Sequence, residues 1–394
     1  MGVLDRCYSV ADLREAARRR LPRGVFEFVD RGSEDEVALR NNRDAFQRIR
    51  LMHRALVDVS ARSTATTLFG KPVALPMVIA PTGAAGLCWH EGELELARAA
   101  AKAKIPLTLS TASMTAMEKI VVHGGPAAGG RLWFQLYVWK QRELSHKLIE
   151  RVKDNGFEAL IVTVDSPVSP NREYNQRNGF GLPFNPTLRF ALDVACHPVW
   201  ARSVLLKYFT SIGFPRHENY PPEYQKSILS GVGSRDALRA DSLDWDDIRR
   251  FRDMWPGILM LKGINRADDA VKAIEYGIDG LIVSNHGGRN MDSSVAPIDV
   301  LAEVAEAAGG RATVILDSGV RRGSDIVKAL ALGAKAVLTG RATLYGTAVG
   351  GAAGAGKAIS LIQSELDKTM AYTGCRTVEE ISTDIFFGGR GSNR

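Results

Sequence analysis

The chain has 394 residues, 45% of them hydrophobic and 24% charged, with a formal net charge of +7. This balance excludes a wholly disordered chain, and the length allows a core that removes roughly three quarters of the unfolded surface from water. No stretch approaches the ~18 uninterrupted apolar residues of a membrane-spanning helix. Met1–Val10 lacks the basic-then-apolar pattern of a secretory leader, so a cytoplasmic protein is expected. Cys7, Cys88, Cys196 and Cys375 are far apart and show no CxxC spacing, which argues against disulfides, zinc and iron–sulfur clusters; no metal site is expected. The positive charge favours anionic partners, but no basic cluster with interleaved aromatics points to nucleic acid.

Ser9 can cap a helix from Val10 to about Arg20, ended by Pro22, and a second short helix, Val25–Val29, stops at Gly32. From residue 73 short apolar runs recur: Val73–Ala80, Ile105–Leu109, Leu132–Leu136, Ala159–Val164, Ile258–Leu261, Gly280–Val283, Thr313–Leu316 and Ala336–Leu338. Runs without alternation are what strands buried on both faces of a parallel sheet look like. Helical patterns separate most of them, at Glu91–Lys104, Leu144–Asn155, Ala267–Tyr276, Pro297–Ala308 and Ser324–Leu332. A spacing of roughly 22 to 33 residues is one strand–helix unit. Eight units predict an α/β fold, a (β/α)₈ TIM barrel, as a single domain over 1–394 with an N-terminal helical segment.

The rhythm breaks once. An insertion of about 166–257 follows strand four, which places it on the catalytic face of the barrel. Its stretch Leu182–Tyr220 is rich in Phe, Leu, Val, Trp and Tyr, with Arg189, Arg202, Lys207 and Arg216 among them. The tail Gly388–Arg394 reads as disordered. Gly351–Lys357 fits GxxxxGK, but Ala358 replaces the Ser/Thr and no strand precedes it, so it reads as a flexible Ala/Gly connection. There is no GxGxxG, hence no case for a dinucleotide-binding unit.

In a barrel the chemistry collects just after the strands. Pro81, Thr82 and Gly83 follow strand one and Ser110 ends strand two. Strand three carries Gln135 and Tyr137, and strand four delivers Thr163 and Asp165, with Arg172 beyond. Lys262 ends strand five, Ser284-Asn285-His286-Gly287-Gly288-Arg289 follows strand six, Asp317-Ser318-Gly319 and Arg321 follow strand seven, and Gly340-Arg341 follow strand eight. Glycines and arginines after strands seven and eight suit a phosphate, because bare backbone N–H groups approach it and guanidinium groups neutralise it. His286 is the best acid–base candidate, since imidazole titrates near neutral pH, and Arg289 beside it suits an acidic substrate that loses a proton. Asp165 can orient His286 and Arg172 can add a second guanidinium, although each equally fits a surface ion pair. Lys262 at a buried strand end needs an anion or an electron-rich ring; a Schiff-base lysine, as in barrel aldolases, and a structural ion pair are its alternatives.

The SNHGGR string at 284–289, with Asp317-Ser318-Gly319 and Gly340-Arg341, resembles the FMN-dependent L-2-hydroxy acid oxidase/dehydrogenase family over nearly the whole chain. The runs Asp317–Ile326 and Gly340–Gly346 look most like its (S)-mandelate dehydrogenase branch. The resemblance implies FMN-dependent oxidation of an aromatic (S)-2-hydroxy acid to the 2-oxo acid, quinone or oxygen as the electron acceptor, and a homotetramer. His286 would be the base and Asp165 the partner of its imidazolium. Arg172 and Arg289 would hold the substrate carboxylate, and Tyr137 would bond near the reacting hydroxyl. Pro81, Thr82, Gly83, Ser110, Gln135, Thr163 and Lys262 would cradle the flavin, with Ser284 and Asp317 among the cofactor contacts and Gly319, Arg321, Gly340 and Arg341 at its phosphate. By the same resemblance, Leu182–Tyr220 would attach the enzyme peripherally to the inner face of the cell membrane, with a lid or a subunit contact as alternatives.

The sequence departs from that family at two places. Phe28 stands where the family has a tyrosine whose hydroxyl binds the substrate carboxylate, and losing that bond costs about 1.5–3 kcal/mol of binding. The family's Arg-Glu-x-Asp run reads Arg172-Glu173-Tyr174-Asn175. Phe28 therefore points to an alternative, an FMN-dependent oxidase or monooxygenase acting on a larger or modified hydroxy acid derived from a natural product or peptide. Gly83, where the resemblance has Ala in the common oxidases and Gly in the mandelate dehydrogenase branch, would leave room beside the flavin and alter oxygen reactivity.

Overall fold

The computed structural model describes residues 2–179, 187–211, 213, 215–225 and 240–388. Eight parallel strands close into a barrel: β1 (Met77–Ile79), β2 (Pro106–Ser110), β3 (Arg131–Leu136), β4 (Ala159–Thr163), β5 (Ile258–Lys262), β6 (Gly280–Val283), β7 (Thr313–Leu316) and β8 (Ala336–Thr339). Val337 opposite Met77 joins β8 to β1 and completes the ring. The TIM barrel expected from the apolar runs is the fold observed.

One run is divided. Val73 ends an antiparallel ribbon, Thr66–Leu68 with Lys71–Val73, and only Met77–Ile79 enters the barrel. Pro76 between them has no amide hydrogen to continue a ladder. The ribbon closes one end of the barrel: Leu68 and Val73 pack with the interior residues, and Phe69 meets Trp133 edge-on at 5.8 Å.

Strand parity explains both the core and the site. Side chains two residues apart share a face, and the barrel interior is filled by Val78, Trp133, Ile161, Met260, Ile282, Ile315 and Leu338. Two residues further along each chain stand Ala80, Gln135, Thr163, Lys262, Ser284, Asp317 and Gly340. The rule that fills the core with apolar side chains thus carries a polar row to the rim where the strands end.

Helices surround the barrel at Gly92–Lys102, Arg142–Asp154, Ala267–Glu275, Pro297–Ala308 and Gly323–Ala331, close to their expected places. Trp245–Met254, whose Asp244 accepts from the amides of Asp246 and Asp247, is the regular helix of the fourth unit, so the irregular insertion ends before it. N-terminal helices α1 (Val10–Arg20, capped by Ser9) and α2 (Arg23–Asp30) match expectation, whereas α3 (Val37–Arg48) was not foreseen. The supposed flexible connection at 351–357 is instead inside the long helix Arg341–Thr373, interrupted at Gly350–Gly351, where Gly351 takes φ +56°. Glycine tolerates that left-handed turn, and the alanines around it favour helix on either side.

In the insertion, Trp200, Val204 and Tyr208 are buried, and Trp200 Nε1 donates to Leu87 O (2.7 Å). The opposite face exposes Leu188, Leu192, Val199, Leu206 and Phe209. Residues 182–186, 212 and 214 of the 182–220 segment, and the tail after Gly388, lie outside the described residues. No helix among the described residues is long and apolar enough to cross a membrane.

Candidate active site

The polar row is hydrogen-bonded along its length. Ser110, opposite Gln135 in the sheet, donates to Gln135 Oε1 (3.0 Å), and Gln135 Nε2 donates to Thr163 Oγ1 (2.9 Å). Thr163 lies opposite Lys262, whose Nζ donates to Ser284 Oγ (2.9 Å) and pairs with Asp317 Oδ2 (3.0 Å); Ser284 Oγ in turn donates to Asp317 (2.7 Å). Burial works against the charge on Lys262, but Asp317 and Asp165 outweigh it and hold the ammonium above its ordinary pKa. Paired with Asp317 and bonded to Ser284, Lys262 is placed as a buried cation at the cavity rather than as a free amine nucleophile.

The loop after β6 turns sharply. His286, Gly287 and Gly288 have φ of +59°, +68° and +69°, all left-handed. A non-glycine residue there costs about 1 kcal/mol or more. The loop is held by Ser284 Oγ on the His286 amide (3.0 Å), Ser318 Oγ on the Gly287 amide (2.9 Å) and a reciprocal amide pair between Asn285 and Asn42 (2.7 and 2.9 Å). Gly287 has a second reason to lack a side chain, since a Cβ would stand 2.8 Å from Arg341 Nη1.

This strained turn aims the imidazole between Asp165 and Tyr137. His286 Nδ1 is 3.0 Å from Asp165 Oδ1 and Nε2 is 3.2 Å from the Tyr137 hydroxyl. Asp165 is an acceptor, so Nδ1 carries the proton and Nε2 is the basic atom. Burial lowers the His286 pKa, and Asp165 opposes this only in part. Burial alone would raise the Asp165 carboxyl, yet His286 and Lys262 take it below its ordinary value. The outcome is a neutral imidazole backed by a carboxylate.

Three arginines converge nearby. Arg172 donates through Nε and Nη2 to the Arg289 carbonyl (3.2 and 3.0 Å). Arg289 donates to Arg31 O (2.8 Å), and its guanidinium lies 5.4 Å above the Phe28 ring. Arg341 is buried and reaches Val29 O (3.0 Å), Gly287 O (2.9 Å) and Arg31 O (3.2 Å). The carbonyls left over at the end of α2 are thus capped by two cations, which fixes Phe28 in place. Burial, together with Arg289 and Arg321, pulls the Arg341 pKa down to about 10.

Most of these groups line one open-mouthed cavity. Phe28, Pro81, Thr82, Gly83, Ser110, Gln135, Tyr137, Thr163, Arg172, Lys262, His286, Arg289, Asp317, Gly319, Arg321, Gly340 and Arg341 line it. Asp165 and Ser284 stand behind His286 and Lys262. Sequence reasoning missed Ala112, His217 and Tyr220, which also line the cavity, and the Asn42 brace. His217 and Tyr220 belong to the insertion, where no local pattern marks them.

The site suits FMN on the structure's own terms. Ser110, Gln135, Thr163 and Lys262 offer donors and acceptors in a line, as the polar edge of a flavin ring requires. Arg321 and Arg341 are same-sign neighbours that a phosphate dianion would relieve.

Comparison with known proteins agrees. Residues 17–387 match the FMN-dependent dehydrogenase family, and the chain belongs to it. It is an FMN-dependent oxidoreductase of the 2-hydroxy acid dehydrogenase and oxidase type. It is 40% identical to (S)-mandelate dehydrogenase of Pseudomonas putida, covering 96% of this chain and 93% of that protein. It is 41% identical to L-lactate oxidase of Nostoc sp., covering 98% and 99%. The crystal structure of the monotopic membrane protein (S)-mandelate dehydrogenase superposes with a TM-score of 0.90 at 39% identity, over 97% of this chain and 99% of that one.

Proposed function

We propose that the protein oxidises an aromatic (S)-2-hydroxy acid to the 2-oxo acid, with His286 as the base. The observation that carries this reading is the Asp165–His286–Tyr137 line beside Arg172 and Arg289 in one cavity. Arg172 and Arg289 bind the substrate carboxylate and set the α-carbon against the imidazole. His286 Nε2 takes the substrate proton, and the imidazolium so formed is stabilised by Asp165. Tyr137 hydrogen-bonds at the reacting hydroxyl. Pro81–Gly83, Ser110, Gln135, Thr163, Ser284, Lys262 and Asp317 hold the flavin, and Gly319, Arg321, Gly340 and Arg341 its phosphate. When bound, FMN supplies the two-electron acceptor, reoxidised by a quinone in a dehydrogenase or by oxygen in an oxidase.

The mandelate-acting relatives support an aromatic side chain, as do the aromatic walls Phe28, Tyr137 and Tyr220. A larger or modified hydroxy acid is the second reading, favoured by Phe28, which gives the carboxylate no hydroxyl at a point already held by Arg289. Adding (S)-mandelate and (S)-lactate anaerobically to the FMN-loaded protein tests both. Rapid bleaching by mandelate supports the first reading. Bleaching by lactate alone removes the aromatic substrate, and bleaching by neither moves the search to derivatised acids.

We also infer a peripheral membrane contact through Leu188, Leu192, Leu206 and Phe209, exposed beside Arg202 and Lys207. Co-sedimentation with anionic lipid vesicles should be lost in a Leu192→Glu/Phe209→Glu variant that keeps its activity. A homotetramer is the proposed assembly, and sedimentation velocity measures it directly.

A further inference from the structure

The return segment of the insertion, Arg216–Tyr220, is stitched to the loop after β2. His217 Nδ1 donates to Ala112 O (3.0 Å), and Glu218 N donates to Ser113 O (3.1 Å). Asn219 Oδ1 accepts from Met117 N (3.0 Å), and its Nδ2 donates to Thr115 O (3.2 Å). Three consecutive residues are therefore fixed to one loop, which makes a rigid edge. The loop is braced from its other side by buried Glu93, which accepts from Met114 N (3.1 Å) and Thr115 Oγ1 (3.0 Å). On the cavity side, the His217 ring stacks on Tyr220 (4.6 Å, 24°), and Tyr220 packs edge-on against Trp139 (4.7 Å, 84°).

Ala112 links this strap to Gly83. A Cβ on Gly83 would stand 3.2 Å from Ala112 Cβ and 3.6 Å from Ala112 O. The space beside Gly83 is thus bounded by Ala112, whose amide is held by Ser110 Oγ (3.1 Å) and whose carbonyl is held by His217. How far Ala112 can yield depends on the strap.

We propose that the Arg216–Tyr220 strap determines which substrate side chains fit, with His217 as a positioning residue that acts through Ala112 on the space beside Gly83. The inference rests on reading the cavity as the site of a 2-hydroxy acid. Lactate carries only a methyl where mandelate carries its aryl ring, so the two acids differ in how far they extend toward the cavity wall that includes His217 and Tyr220.

The test uses FMN-loaded enzyme and the ratio of kcat/KM for (S)-mandelate to that for (S)-lactate. His217→Leu keeps the bulk but loses the donor, and the ratio should fall about five- to tenfold, mainly through the KM for mandelate, as loss of one hydrogen bond allows. His217→Asn places an amide N–H where Nδ1–H was and should restore the ratio. Gly83→Ala should cost less in the His217→Leu background than in the parent, because Ala112 is released. Asn219→Ala cuts the strap at two other bonds outside the cavity and must move the ratio the same way, which keeps the proposal testable if His217→Leu does not fold. An unmoved ratio, equal effects of Leu and Asn, or strict additivity with Gly83→Ala overturns the strap's role while leaving the hydroxy acid reading standing. A parent enzyme whose flavin is reduced by no hydroxy acid overturns both.

Discussion

The carbonyl of Arg289 receives both Nε and Nη2 of Arg172, at 3.2 and 3.0 Å, so the backbone of one arginine aims the side chain of another. Two like charges are thereby brought to one wall of the cavity. The arrangement needs the planar fork of a guanidinium, which lysine does not have. Arg172→Lys should therefore lower kcat/KM about ten- to a hundredfold despite keeping the charge, since one charge-assisted bond to substrate is worth about 1.5–3 kcal/mol. Stopped-flow flavin reduction measures this, and a loss under about twofold would show that Arg172 does not meet the substrate.

The pH dependence follows from His286. Burial places its pKa below the ordinary value of about 6.5, and the base role proposed for it needs the proton-free form. The rate of flavin reduction should be flat through neutral pH and fall only as pH drops through that lowered pKa. Asp165 is the group that raises the His286 pKa, so Asp165→Asn should carry the acid limb still lower while also reducing the plateau. A limb that moves to higher pH in Asp165→Asn contradicts the assigned pairing.

Phe28→Tyr is a substitution expected to gain. It adds a hydroxyl to a ring already fixed 5.4 Å under the Arg289 guanidinium. If that hydroxyl reaches the substrate carboxylate, KM should fall about tenfold, the lower end of a bond to a charged group. An unchanged KM for every acid tried would mean that the carboxylate does not approach Phe28.

Much of this was legible in the sequence. The strands were readable because a barrel strand is apolar on both faces, and the site residues because they fall at fixed parity beyond the core positions. The ribbon was hidden because Val73 and Met77 belong to one apolar run that only Pro76 divides. The Arg341–Thr373 helix was hidden by its glycines, which suggest flexibility when read without the helices packed against them. His217 and Tyr220 were out of reach for a different reason: the bond from His217 to Ala112 spans 105 residues, and no local periodicity encodes it.

Lys262 gives a prediction about stability. Its ammonium is buried against Asp317, and removing one partner leaves a buried carboxylate uncompensated. Lys262→Met should destabilise the protein by about 3–5 kcal/mol in urea unfolding, and Asp317→Asn added to it should recover part of the loss. No recovery in the double variant would show that the cost comes from packing and not from charge.

The capping of α2 by Arg289 and Arg341 has a consequence for assembly during synthesis. Val29 and Arg341 are 312 residues apart in the chain, so the Arg341 half of this cap forms only after the eighth strand has been made. Contacts of such separation form late, because the intervening chain must first be ordered. The Arg341 cap on Val29 and Arg31, which locks the end of α2 beside the Phe28 wall, is therefore a contact of the closing stage of folding.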